Sequence, residues 1–125
     1  MGSLPSQHEG CLFCGLYREG DHVAATKGFV AIRDINPQAS VHLLVIPEHH
    51  IDTFRDVSKL GSGETHRMLE FIADTAREAG LEDYRVQVNV GSTAGQTVFH
   101  LHWHVLGNKH VAAEPLPAPT EVTEL

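Results

Sequence analysis

The sequence has few cysteines, few aromatic residues and no long apolar run. Two cysteines are too few for the disulfide framework that supports a small secreted domain. No apolar segment reaches the roughly 20 residues needed to cross a bilayer, and residues 1–10 lack the basic and apolar regions of a signal peptide. We therefore expect a location in the cytoplasm, with the nucleus as an alternative, and no membrane partner.

Lysine and arginine are also scarce. Nine of them stand against 16 aspartates and glutamates, which gives a formal net charge of -7. Binding to nucleic acid without sequence preference needs clustered positive charge, so we expect no nucleic-acid polymer as a partner. Histidine is the exception, with ten residues in a chain of 125.

The composition changes near both ends of the chain. Residues 1–10 are polar and contain glycine and proline, which predicts a flexible N-terminal arm. Residues 111–125 contain Pro115, Pro117 and Pro119 among small and acidic residues, which predicts a Pro-rich extended or disordered tail. One folded domain over residues 11–110 remains between them.

Within that domain the patterns predict an α+β fold. A short helix is expected over residues 12–19, followed by strands over 29–34 and 41–46. A long helix, capped by Ser62 and closed by Gly80, is expected over 61–80. Two further strands, over 84–90 and 97–106, are joined by a glycine-rich loop. We expect an antiparallel meander sheet of about five strands, with the long helix on one face.

Three histidines alternate in the last predicted strand, at His100, His102 and His104. Alternate residues of a strand share a face, so the three imidazoles are expected on one side of the sheet. The residues of opposite parity are apolar and are expected to pack against the long helix: Phe99, Leu101, Trp103 and Val105.

Stability gives no reason for three imidazoles on one face, since charged imidazoles repel each other. Imidazole, however, keeps a neutral nucleophile available at neutral pH and can form covalent intermediates. It can also donate hydrogen bonds that stabilise developing charge on phosphate oxygens. The sequence shows no nucleophile elbow for acyl transfer. The pattern therefore favours chemistry at phosphorus.

The segment His100-Leu-His102-Trp-His104-Val-Leu matches the His-x-His-x-His-x-x pattern, with hydrophobic x, of the histidine triad (HIT) superfamily. Residues 89–98 resemble its phosphate loop, and residues 34–39 and 42–47 resemble the central strands of its Hint-like branch. The resemblance implies an enzyme that hydrolyses nucleoside 5'-phosphoramidates or related purine nucleoside monophosphate conjugates. It further implies a covalent nucleotidyl-histidine intermediate, a homodimer and no organic cofactor.

The same resemblance assigns roles to single residues. His102 would be the nucleophile that takes the α-phosphate, and His104 would hydrogen-bond that phosphate. His42 would complete the polar cluster, Thr97 would contact the phosphate or assist the leaving group, and Asp34 would bind the ribose hydroxyls. The other predicted nucleotide-binding residues are Asn89, Gln96 and Val98, with Phe13, Ile32 and Ile35 around the base. Those last three could equally be ordinary core residues.

Cys11 and Cys14 form a Cys-x-x-Cys pair, which is half of a tetrahedral zinc site. Only histidines can complete such a site in this chain, and we expect His50 and His100, with His49 as an alternative to His50. The superfamily has members with this pair that use the first triad histidine as a ligand, which would make the zinc structural. The alternative is a pair of reduced, buried cysteines.

Three other functions stay open. Gln96-Thr97-Val98 resembles the Fhit-like branch, which cleaves dinucleoside polyphosphates, although Gly107-Asn-Lys follows the triad where that branch has Pro-Arg. A nucleotide-binding adaptor with little turnover would be favoured by a lost nucleophile, but His102 is present. A hydrolase that uses metal-activated water needs an open coordination position, which two cysteines and two histidines would close.

Overall fold

The computed structural model describes residues 10–109 and residue 116. Apart from Gly10 and Leu116, the predicted arm at 1–10 and the predicted tail at 111–125 lie outside these residues. Within the described part, no helix has both the length and the apolar composition that a membrane span requires.

Two α-helices form, close to where the sequence predicts them. Helix α1 spans Leu12–Glu19 and helix α2 spans Ser62–Glu78. Short 3-10 helices span Phe54–Lys59, after the third strand, and Ser92–Ala94, in the glycine-rich loop.

The N-terminus of α2 is capped one residue earlier than predicted. Gly61, and not Ser62, is the N-cap residue. The Gly61 amide donates to Glu64 Oε1 at 3.3 Å, which satisfies an N–H that has no partner within the helix. The prediction of Ser62 as the cap was therefore wrong, because Ser62 is already the first residue of the helix.

The five strands are β1 (His22–Thr26), β2 (Phe29–Arg33), β3 (Val41–Pro47), β4 (Arg85–Gln87) and β5 (Trp103–Gly107). Strand β1 was not predicted, since an edge strand with a largely exposed sequence lacks an apolar pattern. Strand β5 starts later than the predicted residue 97, because residues 98–100 bend before pairing begins.

The sheet has the order β1-β2-β3-β5-β4, and all neighbouring strands are antiparallel. The five-stranded antiparallel sheet is as predicted. It departs from a continuous meander at one point, since the chain leaves β3 through α2 and returns at the far edge as β4. Strand β5 then turns back and fills the place between β3 and β4.

One face of the sheet packs against α2. Helix residues Met68, Phe71 and Ile72 share a buried core with Leu101 and Trp103 of the triad segment. The predicted apolar face of that segment is thus confirmed for Leu101, Trp103 and Val105. Phe99 is 40% exposed, because it lies in the bend that precedes β5.

Helix α1 covers the opposite face. Phe13 is fully buried there among side chains of β2 and β3, which are Val30, Ile32, Leu44 and Ile46. The Phe13 ring also meets the edges of the His100 and His102 rings, at centroid distances of 6.3 and 4.8 Å. The triad therefore lies on the face away from α2, as the alternation of residues predicted.

Candidate functional site

The site is assembled from two neighbouring strands and the segment that leads into β5. His104 lies within β5 and is paired with Leu44 of β3, while His42 of β3 is paired with Leu106. His100 and His102 precede β5, and all four imidazoles are at most 3% exposed. The structure thus brings together the three catalytic histidines that were predicted, His42, His102 and His104.

Hydrogen bonding fixes the protonation of His102. Its Nδ1 lies 2.8 Å from the backbone carbonyl oxygen of His100. A carbonyl can only accept a hydrogen bond, so Nδ1 carries the proton and Nε2 keeps the lone pair. His102 is therefore held in the tautomer that a nucleophile acting through Nε2 requires.

The protonation of His42 and His104 follows in the same way. The Gln38 amide donates to His42 Nδ1 at 3.0 Å, so the His42 proton is on Nε2. His42 Nε2 in turn donates to His104 Nδ1 at 2.9 Å, which leaves the His104 proton on Nε2. The rings of His102 and His104 are 5.4 Å apart. His102 therefore has a lone pair on Nε2, and the adjacent His104 has a proton on Nε2.

The electrostatics agree with a neutral His42. The pKa of His42 is lowered from 6.5 to about 4, mainly by burial; the Asp34 carboxylate opposes this shift and the neighbouring His104 adds to it. At neutral pH the imidazole is uncharged, as the Gln38 hydrogen bond requires.

Asp34 follows β2 and is 4% exposed. Its Oδ1 accepts the Asn36 amide at 2.8 Å. Its Oδ2 has no hydrogen-bond partner and lies 3.3 Å from His42 Nε2 and 3.8 Å from His104 Nδ1. In this arrangement the carboxylate faces the imidazoles, and it would have to turn outward to reach the ribose hydroxyls that the resemblance assigns to it.

A cavity of about 440 Å³ opens beside Asp34 and His42. It extends between β1 and the C-terminal part of α2, where Thr75 and Glu78 contribute to its wall. His102 does not line it. The side chains of Asp34 and His42 are fully buried behind its wall.

Gln96 holds the glycine-rich loop together. Its Oε1 accepts the Gly91 amide at 2.9 Å, and its Nε2 donates to the carbonyls of Asp52 and Val98 at 2.8 and 3.0 Å. Positive φ angles of 90° and 98° at Gly91 and Gly95 allow the tight turn. The side-chain amide predicted to contact the nucleotide is thus used in shaping the loop.

The other predicted nucleotide-binding residues fall into different environments. Asn89 is half-buried and accepts a hydrogen bond from Gln87 Nε2 at 3.0 Å. Thr97 is exposed at the end of the loop, and Val98 is half-buried. Of the residues expected around the base, Phe13 and Ile32 are buried core residues whereas Ile35 is 83% exposed.

The four predicted metal ligands also converge. The sulfur atoms of Cys11 and Cys14 and one ring nitrogen each of His50 and His100 all lie within 4.8 Å of one another. His100 Nδ1 is 3.4 Å from both sulfur atoms, and His50 Nδ1 is 3.2 Å from Cys14 Sγ. Tetrahedral zinc, with its usual bond lengths to sulfur and nitrogen, would separate such donors by about 3.5 Å. The donor set and its spacing fit that ion.

The remaining ring nitrogens show which atoms face a metal. His50 Nε2 donates to Asp52 Oδ1 at 2.9 Å, and His100 Nε2 donates to the carbonyl of Pro47 at 2.8 Å. Both Nδ1 atoms therefore present lone pairs to the sulfur atoms, as in zinc sites whose histidines are oriented by an acceptor behind them. His49, the alternative ligand, instead lies 3.5 Å from Glu64.

Sequence reasoning missed Asp52 and the structural role of Gln96. Asp52 accepts from His50 through its carboxylate and from Gln96 through its carbonyl. It thereby links the cysteine–histidine cluster to the glycine-rich loop. A carboxylate two residues after a candidate ligand is a signal that could have drawn attention to it, since zinc-binding histidines commonly donate to such a group.

The chain is similar to known proteins in both sequence and fold. The family model of the HIT domain matches residues 18–111. An uncharacterised HIT-like protein from Chlamydia trachomatis is 43% identical over 93 residues, which are 71% of this chain and 81% of that protein. A HIT family hydrolase from Legionella pneumophila Philadelphia 1 is similar in structure, with a TM-score of 0.73 and 40% identity, covering 78% of this chain and 92% of that one. A zinc-bound histidine triad family protein from Mycobacterium smegmatis gives a TM-score of 0.66 at 29% identity, covering 82% and 78%.

Proposed function

The chain belongs to the HIT domain family, and from that premise we propose that it is a hydrolase of nucleoside 5'-phosphoramidates or related purine nucleoside monophosphate conjugates. The family contains a solved hydrolase similar to this chain. The observation that carries the proposal is the tautomer pair: Nε2 of His102 has a lone pair, and Nε2 of His104 has a proton. The N-terminal cysteine pair favours the Hint-like branch.

In the proposed reaction, His102 Nε2 attacks the α-phosphorus. The nitrogen–phosphorus bond forms as the bond to the leaving group breaks, which gives a covalent nucleotidyl-histidine. Water then attacks phosphorus and releases the nucleoside monophosphate. The His104 N–H hydrogen-bonds a phosphate oxygen and stabilises the charge that develops there.

Binding of the nucleotide is assigned to the surroundings of this pair. Thr97 contacts the phosphate or the leaving group from the end of the loop, and Asn89 and Val98 flank it. Ile35 offers an exposed apolar surface for the base. Phe13 and Ile32 are buried, and we assign them to the core rather than to contact with the base.

We further propose that Cys11, Cys14, His50 and His100 hold a structural zinc ion. Zinc bound by four protein ligands has a closed shell and leaves no position for water or substrate. It would tie the N-terminus of α1 to the loop after β3 and to the triad segment, which stabilises a small domain. The support for this assignment is the convergence of the two thiols, of which Cys14 is buried, with two oriented imidazole lone pairs.

We propose a homodimer on two grounds, which are the family resemblance and the apolar side chains exposed at one edge of the sheet and on α2. Strand β4 is an edge strand. Tyr84, which precedes it, and Val86, within it, are 38% and 40% exposed. Leu69 on α2 is 55% exposed. Sedimentation equilibrium tests the proposal, and a single species of monomer mass at micromolar concentration would contradict it.

The experiment for the activity measures AMP release from adenosine 5'-phosphoramidate. His102→Ala is expected to lower kcat by about a thousandfold or more, because the covalent route is lost. His66→Ala is the matched control, because that side chain is 73% exposed on α2. Its ion pair is with an exposed residue of the same helix, with 3.5 Å between His66 Nε2 and Glu70 Oε2. Full turnover by His102→Ala would rule out the assigned nucleophile.

The same preparation should also be assayed on a diadenosine polyphosphate. Faster cleavage of that substrate than of the phosphoramidate would favour the Fhit-like alternative. Binding of AMP without turnover of either substrate would favour a nucleotide-binding adaptor.

A further inference from the structure

The cavity of about 440 Å³ lies on the α2 face of the sheet and takes no part in the reaction described so far. Arg33, which lines it, has the same parity along β2 as Phe29 and Ala31, whose side chains belong to the core beneath α2. The side chains of Asp34 and His42 are fully buried, so neither contacts a molecule that enters the cavity from solvent. The cavity is therefore separate from the histidine cluster on the opposite face.

Apolar side chains form part of the cavity wall. Val41 and Leu43 of β3 are 9% and 6% exposed, and they line the cavity together with Val23 of β1 and Ala79 at the end of α2. Volumes of about 300–1,000 Å³, with an apolar lining and a few polar groups, are typical of sites for small molecules. A volume near the lower end of that range suits a ligand with few non-hydrogen atoms.

Two cationic residues lie on the sheet side of the cavity. Arg33 is the last residue of β2, and Lys109 follows β5, where its backbone amide donates to Ser40 Oγ at 3.2 Å. Both cationic residues line the cavity and are exposed. Within residues 10–109 neither forms an ion pair. Positive groups beside an apolar wall favour a ligand with an anionic group, and a guanidinium matches the geometry of a carboxylate.

The helix side of the cavity is formed by Thr75 and Glu78, which are three residues apart and share one face of α2. Glu78 is exposed and, in the described part of the chain, has no ion pair. Thr75 is 2% exposed, and its Oγ1 has no hydrogen-bond partner among the described residues. A helical threonine can donate its hydroxyl to the carbonyl four residues earlier, but Thr75 does not. A buried hydroxyl without a partner is costly, and a polar group of a ligand in the cavity would remove that cost.

We propose that this cavity is a binding site for a free α-amino acid with an apolar side chain. Arg33 and Lys109 bind the carboxylate. Glu78 and the Thr75 hydroxyl accept hydrogen bonds from the ammonium group, and the side chain of the ligand lies on the apolar wall. Because the two walls carry opposite charges, a ligand with both charges meets an attractive group at each end. A phosphate would be repelled by Glu78, and a simple amine by Arg33 and Lys109. The site is independent of the proposed hydrolase activity.

Isothermal titration calorimetry of the full chain with L-leucine tests the site. Each charged group of the ligand is removed in turn by using N-acetyl-L-leucine, which lacks the ammonium group, and L-leucinamide, which lacks the carboxylate. Both analogues should bind about tenfold more weakly or worse, because a charge-assisted hydrogen bond is lost and its protein partner stays unpaired. Glycine, which has no apolar side chain, should also bind more weakly than L-leucine.

Two variants test the protein side of the site. Arg33→Gln removes one cation from an exposed position and should weaken the binding of L-leucine by about tenfold. Lys27→Gln, at the exposed turn between β1 and β2, is the matched control and should leave the affinity unchanged.

Thr75→Val keeps the shape of the side chain and removes the hydroxyl. It should also weaken the binding of L-leucine, while the ligand-free protein stays at least as stable, since the unsatisfied hydroxyl is gone. Thermal unfolding without ligand separates this result from a purely structural role of Thr75, which would lower the Tm. If Thr75→Val does not fold, Arg33→Gln decides alone.

The histidine site on the other face supplies a further control. Saturation with AMP should leave the affinity for L-leucine unchanged, because the two sites lie on opposite faces of the sheet. Competition between AMP and L-leucine would place the amino acid at the histidines and overturn the inference. Absence of binding at millimolar L-leucine, or equal affinity for L-leucine and L-leucinamide, would overturn it as well. If AMP itself does not bind, the proposed function fails, while the titration with L-leucine still decides whether the cavity is a site.

Discussion

The backbone carbonyl of His100 accepts the Nδ1 proton of His102 at 2.8 Å. The side chain of the same His100 directs its Nδ1 toward the sulfur atoms of Cys11 and Cys14, 3.4 Å from each. A single residue therefore connects the cysteine–histidine cluster to the imidazole proposed as the nucleophile. Loss of the cluster should displace this carbonyl and with it the orientation of the reactive ring.

Replacing Cys14 with serine tests this coupling. The variant removes one thiol ligand, so the protein should bind less than one zinc ion per chain, melt at a lower temperature and turn over more slowly. A drop in Tm of about 5 °C or more is expected for a domain of this size. Metal analysis and thermal unfolding, with and without a chelator, measure it.

The chelator supplies the control. It should lower the Tm of the wild type to that of Cys14→Ser and should leave the variant unchanged. Wild-type protein purified without chelator that contains no zinc, and whose Tm does not respond to chelation, would instead support two reduced, buried cysteines.

The stability of the protein should fall as the pH is lowered from about 6.5 to about 4. Burial lowers the pKa of His42 to about 4, so the unfolded chain takes up a proton at this position in that range and the folded protein does not. The difference amounts to a loss on the order of 3 kcal/mol, which is complete below pH 4. Urea unfolding at a series of pH values measures it.

His42→Gln is the comparison variant, since glutamine is polar but does not titrate. The variant should be less stable at neutral pH, yet its stability should depend less steeply on pH between 6.5 and 4. Parallel curves for both proteins over that range would show that His42 does not account for the acid sensitivity.

The sequence predicted the parts of this site that depend on alternation and on residue chemistry. The alternating imidazoles had to share a face with each other and not with Trp103, whatever the exact limits of the strand. A zinc site at the Cys-x-x-Cys pair would need two further ligands, and the predicted His50 and His100 do lie beside the pair. These inferences required only the local geometry of a strand and the donor preferences of zinc.

What the sequence could not show depends on contacts between distant segments. The direction of the Asp34 carboxylate is set by the packing of His42 and His104 around it. The hydrogen bonds of Gln96 depend on where the chain after β3 passes the glycine-rich loop. The late start of β5 results from the bend at residues 98–100. None of these leaves a periodic or compositional pattern.

Removing the Gln96 side chain should weaken both the fold and substrate binding. Gln96→Ala leaves the buried Gly91 amide without its acceptor and the Asp52 carbonyl without its donor. The expected loss in free energy of unfolding is about 1–3 kcal/mol, together with a higher KM because the loop is less ordered. Chemical denaturation and steady-state kinetics measure the two effects.

Gln38→Ala is the matched control for this change. The Gln38 side chain donates only an exposed hydrogen bond to the Asn36 carbonyl, at 3.1 Å. The contact of Gln38 with His42 is made by its backbone amide and is retained. Equal destabilisation by both variants would mean that the three side-chain hydrogen bonds of Gln96 do not account for the loss in free energy of unfolding.

Two glycine positions should respond oppositely to alanine. At Gly107, the last residue of β5, a Cβ atom would lie 2.9 Å from the Asp83 carbonyl oxygen and from both Leu81 methyl groups. The backbone there cannot yield without disturbing the pairing of β5, so Gly107→Ala should destabilise the protein by about 1–3 kcal/mol. At Gly15, within α1, a Cβ would meet no atom within 4 Å, and alanine should stabilise the helix by about 0.5–1 kcal/mol.

Urea unfolding of both variants compares them directly, and a neutral Gly107→Ala would show that β4 and β5 can separate at this end without cost. Because Gly107 closes the strand that holds His104, its variant should also lose activity, whereas Gly15→Ala should keep it.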